Sequence, residues 1–236
     1  MKEKIINSEK TKDLVSAIIP VYNGEKFLAE AIDSVLTQDF NSIEIIVVDD
    51  GSTDNSAAIS KDIPEVLYAY QSNQGTAAAL NHGVKLARGD FYAFLDADDI
   101  WLSGKLSSQM EFLINNPETD MVFGHHRRFY SYPIGKTDQN SKEMISKPLT
   151  AYMKQNALIR REAFWRVGLF DTCFELGDFI DWFSRAIDLG ITYAMIPQVA
   201  SMRRIHGGNT TILKKDKYSD YVHLVKKIID RRRQAE

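Results

Sequence analysis

The sequence predicts an α/β protein: one domain built on a mostly parallel sheet flanked by helices. Three observations point there. Short, nearly continuous apolar runs alternate with amphipathic helical segments from residue 15 onward, the mark of strands buried on both faces. The length, 236 residues, suits one elaborated domain better than two. No internal repeat and no linker breaks the pattern.

Residues 1–13, MKEKIINSEKTKD, are charged and lack an apolar period, so they predict a loose tail. VSAIIPVY (15–22) predicts a buried first strand. EKFLAEAIDSVL places Phe27, Leu28, Ala31, Ile32, Val35 and Leu36 on one helical face. IEIIVV (43–48) is a second strand, followed by the turn DDGSTDNS, in which Asp54 suits a helix cap. VLYAY (66–70) predicts a third strand, TAAALNHGVKLA a helix, and DFYAFL (90–95) a fourth strand.

The second half is less regular. Residues 121–136 have strand character, and 136–148 form a polar loop without periodicity. ALIRREAFWRVGLF reads as a strand running into a short helix. A further helix runs from Asp178 to Asp188, with strands near 192–205. From Lys215 the tail predicts a helix with Tyr218, Tyr221, Val222, Val225 and Ile228 on one stripe.

Composition narrows the function classes. Hydrophobic residues make 44% and charged residues 26%, ordinary for a globular protein. Lys plus Arg total 29 against 32 Asp plus Glu, a formal net charge of -3. That balance excludes a strongly basic nucleic-acid-coating protein, and no nucleic-acid partner is expected. The single cysteine, Cys173, excludes an internal disulfide framework and suits a reducing compartment. No run reaches the ~18 apolar residues of a membrane span, and the polar start lacks a signal-peptide core. The expectation is a cytoplasmic protein.

In parallel sheets of this kind ligands bind beyond the carboxyl ends of the strands. Asp49 and Asp50 follow the second strand; Asp96, Asp98 and Asp99 follow the fourth, in FLDADDIW. Carboxylates there can cap a following helix, accept hydrogen bonds from a base or ribose, or hold a hard divalent cation. A cluster of like charges needs a cation or hydrogen-bond donors to compensate it. No G-x-G-x-x-G follows the first strand and no G-x-x-x-x-G-K-[ST] occurs, which weighs against dinucleotide oxidoreductases and P-loop enzymes. A phospho-acceptor receiver domain would be about half this length and would have no use for D-x-D.

PVYNGEKFLAEAIDSVLTQ, EIIVVDDGSTDNS and NQGTAAALNHGVKLARGDFYAFLDADD together resemble the nucleotide-binding half of family-2 glycosyltransferases with the GT-A fold. A looser likeness continues through ALIRREAFWRVGLFD and DWFSRAIDLG to RRIHGGNT. The resemblance implies a Rossmann-like, mostly parallel sheet in a domain spanning 14–212. Residues 14–110 would be its nucleotide-binding half and 111–212 its acceptor half. A basic amphipathic helix, 213–236, would pack on it.

By the same resemblance, Pro20 and Tyr22 line the nucleoside and one of Asp49 and Asp50 accepts a hydrogen bond from the base. Asp96 lies near the ribose and donor sugar. Asp98 ligates a divalent cation, Mn²⁺ or Mg²⁺, and His206 in RRIHGGN completes the metal site. The implied activity is metal-dependent, inverting transfer of a sugar from a nucleotide-sugar donor, a UDP-sugar first. The acceptor, whether glycan, lipid-linked sugar, peptide or small molecule, is not legible. A catalytically degenerate sugar-nucleotide-binding module and a nucleotidyltransferase are the competing readings.

The family takes its general base from a G-E-D-x-D-like segment, and this sequence reads GDFIDWFSRA. Phe179 stands where the usual base would, a departure that leaves Asp178 and Asp181 as candidates. Helical angles place Phe179, Ile180, Phe183 and Ile187 on an apolar stripe and Asp178, Asp181 and Arg185 opposite it. Asp178 ranks ahead, because a carboxylate in the first turn projects into the crevice; it also suits an N-cap with Asp181 as its N3 partner. The basic tail ending in Arg231, Arg232 and Arg233 is a candidate for peripheral contact with the inner face of a membrane. The competing reading packs its Tyr/Val/Ile stripe on the domain and leaves the charges in water.

Overall fold

The computed structural model of the chain describes residues 13–130, 145–209 and 219–235. Its first half runs β1 (Val15–Val21), α1 (Leu28–Leu36), β2 (Ile43–Asp49), α2 (Ser56–Lys61), β3 (Val66–Tyr70), α3 (Thr76–Leu86) and β4 (Phe91–Phe94). The second half adds β5 (Ile100–Trp101), α4 (Lys105–Asn115), β6 (Met121–Tyr130), a 3-10 turn (Lys154–Asn156) and β7 (Ala157–Arg160). It closes with α5 (Arg161–Val167), α6 (Asp178–Asp188), β8 (Tyr193–Ile205) and α7 (Ser219–Ala235).

The eight strands form one sheet in the order β3-β2-β1-β4-β7-β6-β8-β5. β3, β2, β1 and β4 are parallel neighbours, as is β8 to β6. β7 enters antiparallel between β4 and β6, and β5 pairs antiparallel with β8. The parallel half is where the apolar runs were cleanest. All of β1 is buried, because successive side chains feed opposite layers. Ile18 joins α3, α5 and α6 on one face, while Ala17 and Ile19 join α1 and α4 on the other. Each such buried Ile contributes about 1.5–3 kcal/mol. α3 lies tight on the sheet at Gly83, where a Cβ would come 2.5 Å from Ile18 Cγ2.

Several local expectations are corrected. β1 stops at Val21, leaving Tyr22 beyond the strand, and Leu36 at the end of α1 is exposed. In α6 the buried face carries Phe179, Trp182 and Ala186 together with Asp181, whereas Ile180 and Ile187 face outward. Trp182 decides this. It stacks on Phe164 and Phe179, with centroids 5.1 and 5.8 Å away, and its indole N–H donates to Gly168 O at 2.8 Å. Asp178 is the first residue of α6 and not its N-cap; Gly177, at φ 91°, takes that place, so no capping box forms with Asp181.

The stripe expected on the C-terminal helix is also rotated. α7 buries Leu224 and half-buries Tyr221 and Ile228, while Val222 and Val225 point away from the domain. Ion pairs turn it so. Arg231 and Arg232 clasp Asp188, Lys227 pairs with Asp171, and Asp220 accepts from the backbone N–H of Glu175. Tyr218 lies outside the described residues, as do 1–12 and most of the loop expected over 136–148.

Candidate active site

The acidic residues converge at the carboxyl end of β1, β2 and β4. Asp50 lines a small crevice with Pro20, Val21, Tyr22, Thr76 and Ala79. Its Oδ1 accepts from Gln71 Nε2 and Gln74 N, and its Oδ2 from Gly75 N, each at 2.8 Å. Gly75 has φ 90°, a conformation that suits glycine and aims its N–H back at the carboxylate. Asp49 turns the other way: Oδ1 accepts from Ser52 N at 2.8 Å and Oδ2 from the Tyr68 hydroxyl at 2.9 Å. Burial and then this bond push the Tyr68 hydroxyl up to about 12. So the pair splits, with Asp50 on the crevice and Asp49 inside the turn. Tyr22 is 56% exposed at the crevice mouth, its ring free to receive a planar group.

Beyond β4, Asp98 Oδ2 lies 3.0 Å from His206 Nε2 and accepts from Asn209 Nδ2 at 3.0 Å. Arg204 braces this corner. Its backbone N–H donates to Asp99 Oδ1 at 2.8 Å, its Nε donates to Asp98 O at 2.9 Å, and its guanidinium pairs with Glu30. The guanidinium is sandwiched 4.4 Å from both the Phe27 and Phe129 rings. Asp99 is buried, and burial, then Asp98 and Asp96, raise its carboxyl well above the usual range. Gln155 Nε2 supplies a hydrogen bond to it at 3.1 Å.

Lys154 links the turn after β4 to the start of α6. Its ammonium lies 3.1 Å from Asp96 Oδ1 and 3.6 Å from Asp178 Oδ2. Burial pulls this lysine's pKa down, but Asp178 and Asp96 outweigh burial and hold it above its ordinary value. Asp181 does not reach the crevice surface. It is fully buried, with Oδ2 accepting from Arg185 Nε at 2.8 Å and Oδ1 3.7 Å from Arg231 Nη1.

Asp50 thus shares a crevice with Pro20 and Tyr22, Asp98 meets His206, and Lys154 joins Asp96 to Asp178, while Asp49 and Asp181 turn inward. Lys154 and Gln71 escaped the sequence reading, which held no signal for them; Gln74 stood in the NQGTAAAL motif without being singled out. Arg204 and Asn209 stood in plain view, two residues before and three after the candidate histidine.

As to a cation, among the described residues no three His, Cys, Asp or Glu side chains gather as a ready cage. Asp98 and His206 make a two-ligand set, a hard carboxylate oxygen beside an imidazole nitrogen, which suits Mn²⁺ or Mg²⁺ shared with substrate phosphates. Gly208 N donates to His206 Nδ1 at 3.1 Å, which puts the ring's own proton on Nε2, facing Asp98. A cation at Nε2 therefore needs that proton moved to Nδ1 and Gly208 turned away, which the adjoining Gly207 eases.

Solved structures share this architecture. TarS residues 1–349 of S. aureus in complex with UDP superposes with TM-score 0.69 at 18% identity, over 91% of this chain and 64% of that one. The mannosyltransferase PcManGT of Pyrobaculum calidifontis, in complex with GDP-Man and Mn²⁺, gives TM-score 0.72 at 20% identity, over 94% and 65%. The fold is GT-A, the class of sheet on which nucleotide-sugar glycosyltransferases are built.

The family model for glycosyl transferase family 2 matches residues 16–176, and the chain belongs to that family. An uncharacterized glycosyltransferase of Rickettsia typhi is 31% identical over 220 residues, 88% of this chain and 69% of that protein. Glycosyltransferase GlyA of Streptococcus pneumoniae is 37% identical over 121 residues, half of this chain and 17% of its own length. The chain thus spans about two thirds of TarS 1–349 and of the Rickettsia relative.

Proposed function

We propose that this chain transfers a sugar from a nucleotide-sugar donor, a UDP-sugar first, to a hydroxyl of an acceptor, with inversion and with a divalent cation. The observation that carries the reading is the meeting of Asp98 and His206 after β4, with the crevice of Asp50, Pro20 and Tyr22 at the ends of the neighbouring strands β1 and β2. In this reading Tyr22 and Pro20 flank the base, Asp50 accepts from its edge, and Asp96 faces the ribose and donor sugar. Asp98 and His206 would hold Mn²⁺ or Mg²⁺, which supplies Lewis-acid stabilisation of charge on the diphosphate. Residues 14–110 serve the donor and 111–212 the acceptor, a glycan, lipid-linked sugar, peptide or small molecule. The complexes of TarS with UDP and of PcManGT with GDP-Man and Mn²⁺ support the donor class.

Asp178 is the base in this reading. Its Oδ1 is engaged by the Phe179 backbone N–H at 2.7 Å, while its Oδ2 carries no hydrogen bond. That oxygen takes the acceptor's hydroxyl proton as the acceptor oxygen bonds to the anomeric carbon. The anomeric C–O bond to the diphosphate breaks with its electron pair, leaving a nucleoside diphosphate. Phe179, in the position the family gives its base, is packed between Trp182 and Phe183 and has no part in this.

The test is a thermal-shift and product panel: UDP- and GDP-sugars with and without Mn²⁺, scored for nucleoside diphosphate release. A donor at 100 times its Kd stabilises by about 2.7 kcal/mol. Pyrophosphate release from a nucleoside triphosphate would favour a nucleotidyltransferase, and binding without any turnover a degenerate sugar-nucleotide-binding module.

The outward face of α7 supports peripheral contact with an anionic membrane. Val222, Val225 and Ile229 lie along it, with Lys226 and Arg233 beside them. No helix among the described residues is long and apolar enough to cross a membrane.

A further inference from the structure

Lys154 lies in none of the short motifs that first suggested the family, yet its ammonium sits between the two carboxylates on which the proposed reaction turns. Asp96 comes from the turn after β4, Asp178 from the start of α6, and Lys154 from the 3-10 turn ahead of β7. That turn is fixed from several sides. Gln155 Nε2 donates to Asp99 Oδ2, and Asn156 Oδ1 accepts from Ser201 Oγ at 2.5 Å in β8. Asn156 O accepts from Gln109 Nε2 at 2.6 Å in α4. The lysine stem is buried, its side chain 13% exposed, so the ammonium has little freedom to leave.

We infer that Lys154 is a positioning residue for the base, its ammonium holding the Asp178 carboxylate in the crevice beside Asp96. The inference rests on the reading of Asp178 as base. The distances give it content. At 3.1 Å the ammonium bonds Asp96 directly; at 3.6 Å it lends Asp178 its charge without occupying an Oδ2 lone pair. Oδ2 has no hydrogen-bond partner, so its lone pairs are unspent; it is also buried, so an acceptor hydroxyl meets it only where the neighbouring side chains part. Without the cation, Asp96 and Asp178 would face one another as two like charges in a half-buried crevice, and Asp178 would turn from the position it needs. A lysine suits the post because a point charge makes no planar demand on either partner.

The experiment uses the full chain with Lys154→Met, Lys154→Gln, Lys154→Arg, Asp178→Asn and the Lys154→Met/Asp178→Asn double variant. Release of UDP from UDP-GlcNAc and of GDP from GDP-mannose is followed with Mn²⁺ and water as acceptor. Lys154→Met should lower kcat by at least ~10-fold with donor KM within about threefold, and Lys154→Arg, which keeps the charge but brings a planar fork, should recover part of the loss. In the Asp178→Asn background, Lys154→Met should change kcat by less than about twofold, because its effect passes through Asp178. An unchanged kcat, a loss that is all in KM, or the same loss in both backgrounds overturns the inference. Lys154→Gln, which keeps length and polarity, takes the place of Lys154→Met if the latter does not fold.

Thermal melts close the same cycle without any donor. The fall in Tm caused by removing the lysine charge should shrink by about half or more when Asp178 is already Asn, and an equal fall overturns the coupling. Asp178→Asn as active as the parent would instead remove the base reading, whatever Lys154 does.

Discussion

His206 Nε2 stands 3.0 Å from Asp98 Oδ2, across 108 residues of chain. Asn209 donates to the same oxygen, and Arg204 ties the Asp98 carbonyl to the end of β8, which the histidine follows. The corner is therefore braced before any cation arrives. Asp98→Asn should leave Tm within a few degrees yet lower turnover by more than ~10²-fold, the scale of a lost Lewis acid. It should also abolish the Mn²⁺-dependent gain in UDP affinity by calorimetry. Undiminished turnover in this variant and after EDTA would remove the metal reading.

Asp50 and Asp49 should separate in binding and stability. Asp50→Asn puts an amide where a pure acceptor faces the crevice, so UDP affinity should fall by ~1–3 kcal/mol. Asp49→Asn should leave UDP affinity unchanged and lower Tm, because its oxygens serve Tyr68 and Ser52. Calorimetry that finds both variants binding UDP like the parent would put the base elsewhere.

Asp178 and Asp181, in the first turn of α6, should part in the same way. Asp178→Asn should cut turnover by ~10²–10⁴-fold with UDP affinity kept, the range of a general base. Asp181→Asn should cost about 3 kcal/mol of stability, since it leaves Arg185 and Arg231 facing a neutral amide in the interior. A folded but inactive Asp181→Asn beside an active Asp178→Asn would reverse the assignment.

Lys105 makes stability rise with pH. It is fully buried over the Trp101 ring, its ammonium bonded to Gln109 Oε1 at 2.7 Å, and burial lowers its pKa from 10.5 to about 7. Between about 7 and 10.5 the unfolded chain holds the proton and the folded chain does not. Raising pH through that window therefore favours the fold, by up to about 1.4 kcal/mol per pH unit. Below pH 7 both states are protonated and the dependence vanishes. Relative to Lys105→Met, which lacks this titration, the parent should gain stability in denaturant melts from pH 7 to 9. Parallel curves would show that the folded lysine keeps its proton.

α7 offers a simple membrane test. Co-sedimentation with vesicles rich in phosphatidylglycerol, but not with pure phosphatidylcholine, is expected, weakening as salt rises. Val225→Glu should abolish it without moving turnover on a soluble donor, because Val225 points away from the domain. Equal binding to both vesicle types would leave the basic residues no role.

The first half of the domain was legible because its signals are local. A strand buried on both faces must be apolar throughout, and the first residues after it fall on the ligand-binding edge whatever surrounds them. Thus the acidic pair Asp49 and Asp50, and Asp96 with Asp98, could be set at strand ends from VVDDGS and FLDADD alone. The second half resisted because β7 runs antiparallel and β6 and β8 extend as half-buried ribbons, so their apolar periods are broken by His125, Arg127 and Arg203.

By itself the sequence determined the alternation of strand and helix, the acidic strand ends and the R-x-H-x-x-N segment, all carried by residues near one another in the chain. Only the tertiary structure decided which carboxylates face the crevice. DFIDWFSRAID admits two apolar faces, and the choice fell to Trp182 against Phe164 and to Arg185 and Arg231 around Asp181. The same holds for Lys154. Nothing in TAYMKQN marks this lysine, because its meaning is a charge set between Asp96 and Asp178, which lie on different elements. Coulombic partners are chosen by distance in space, and the chain order does not encode that distance.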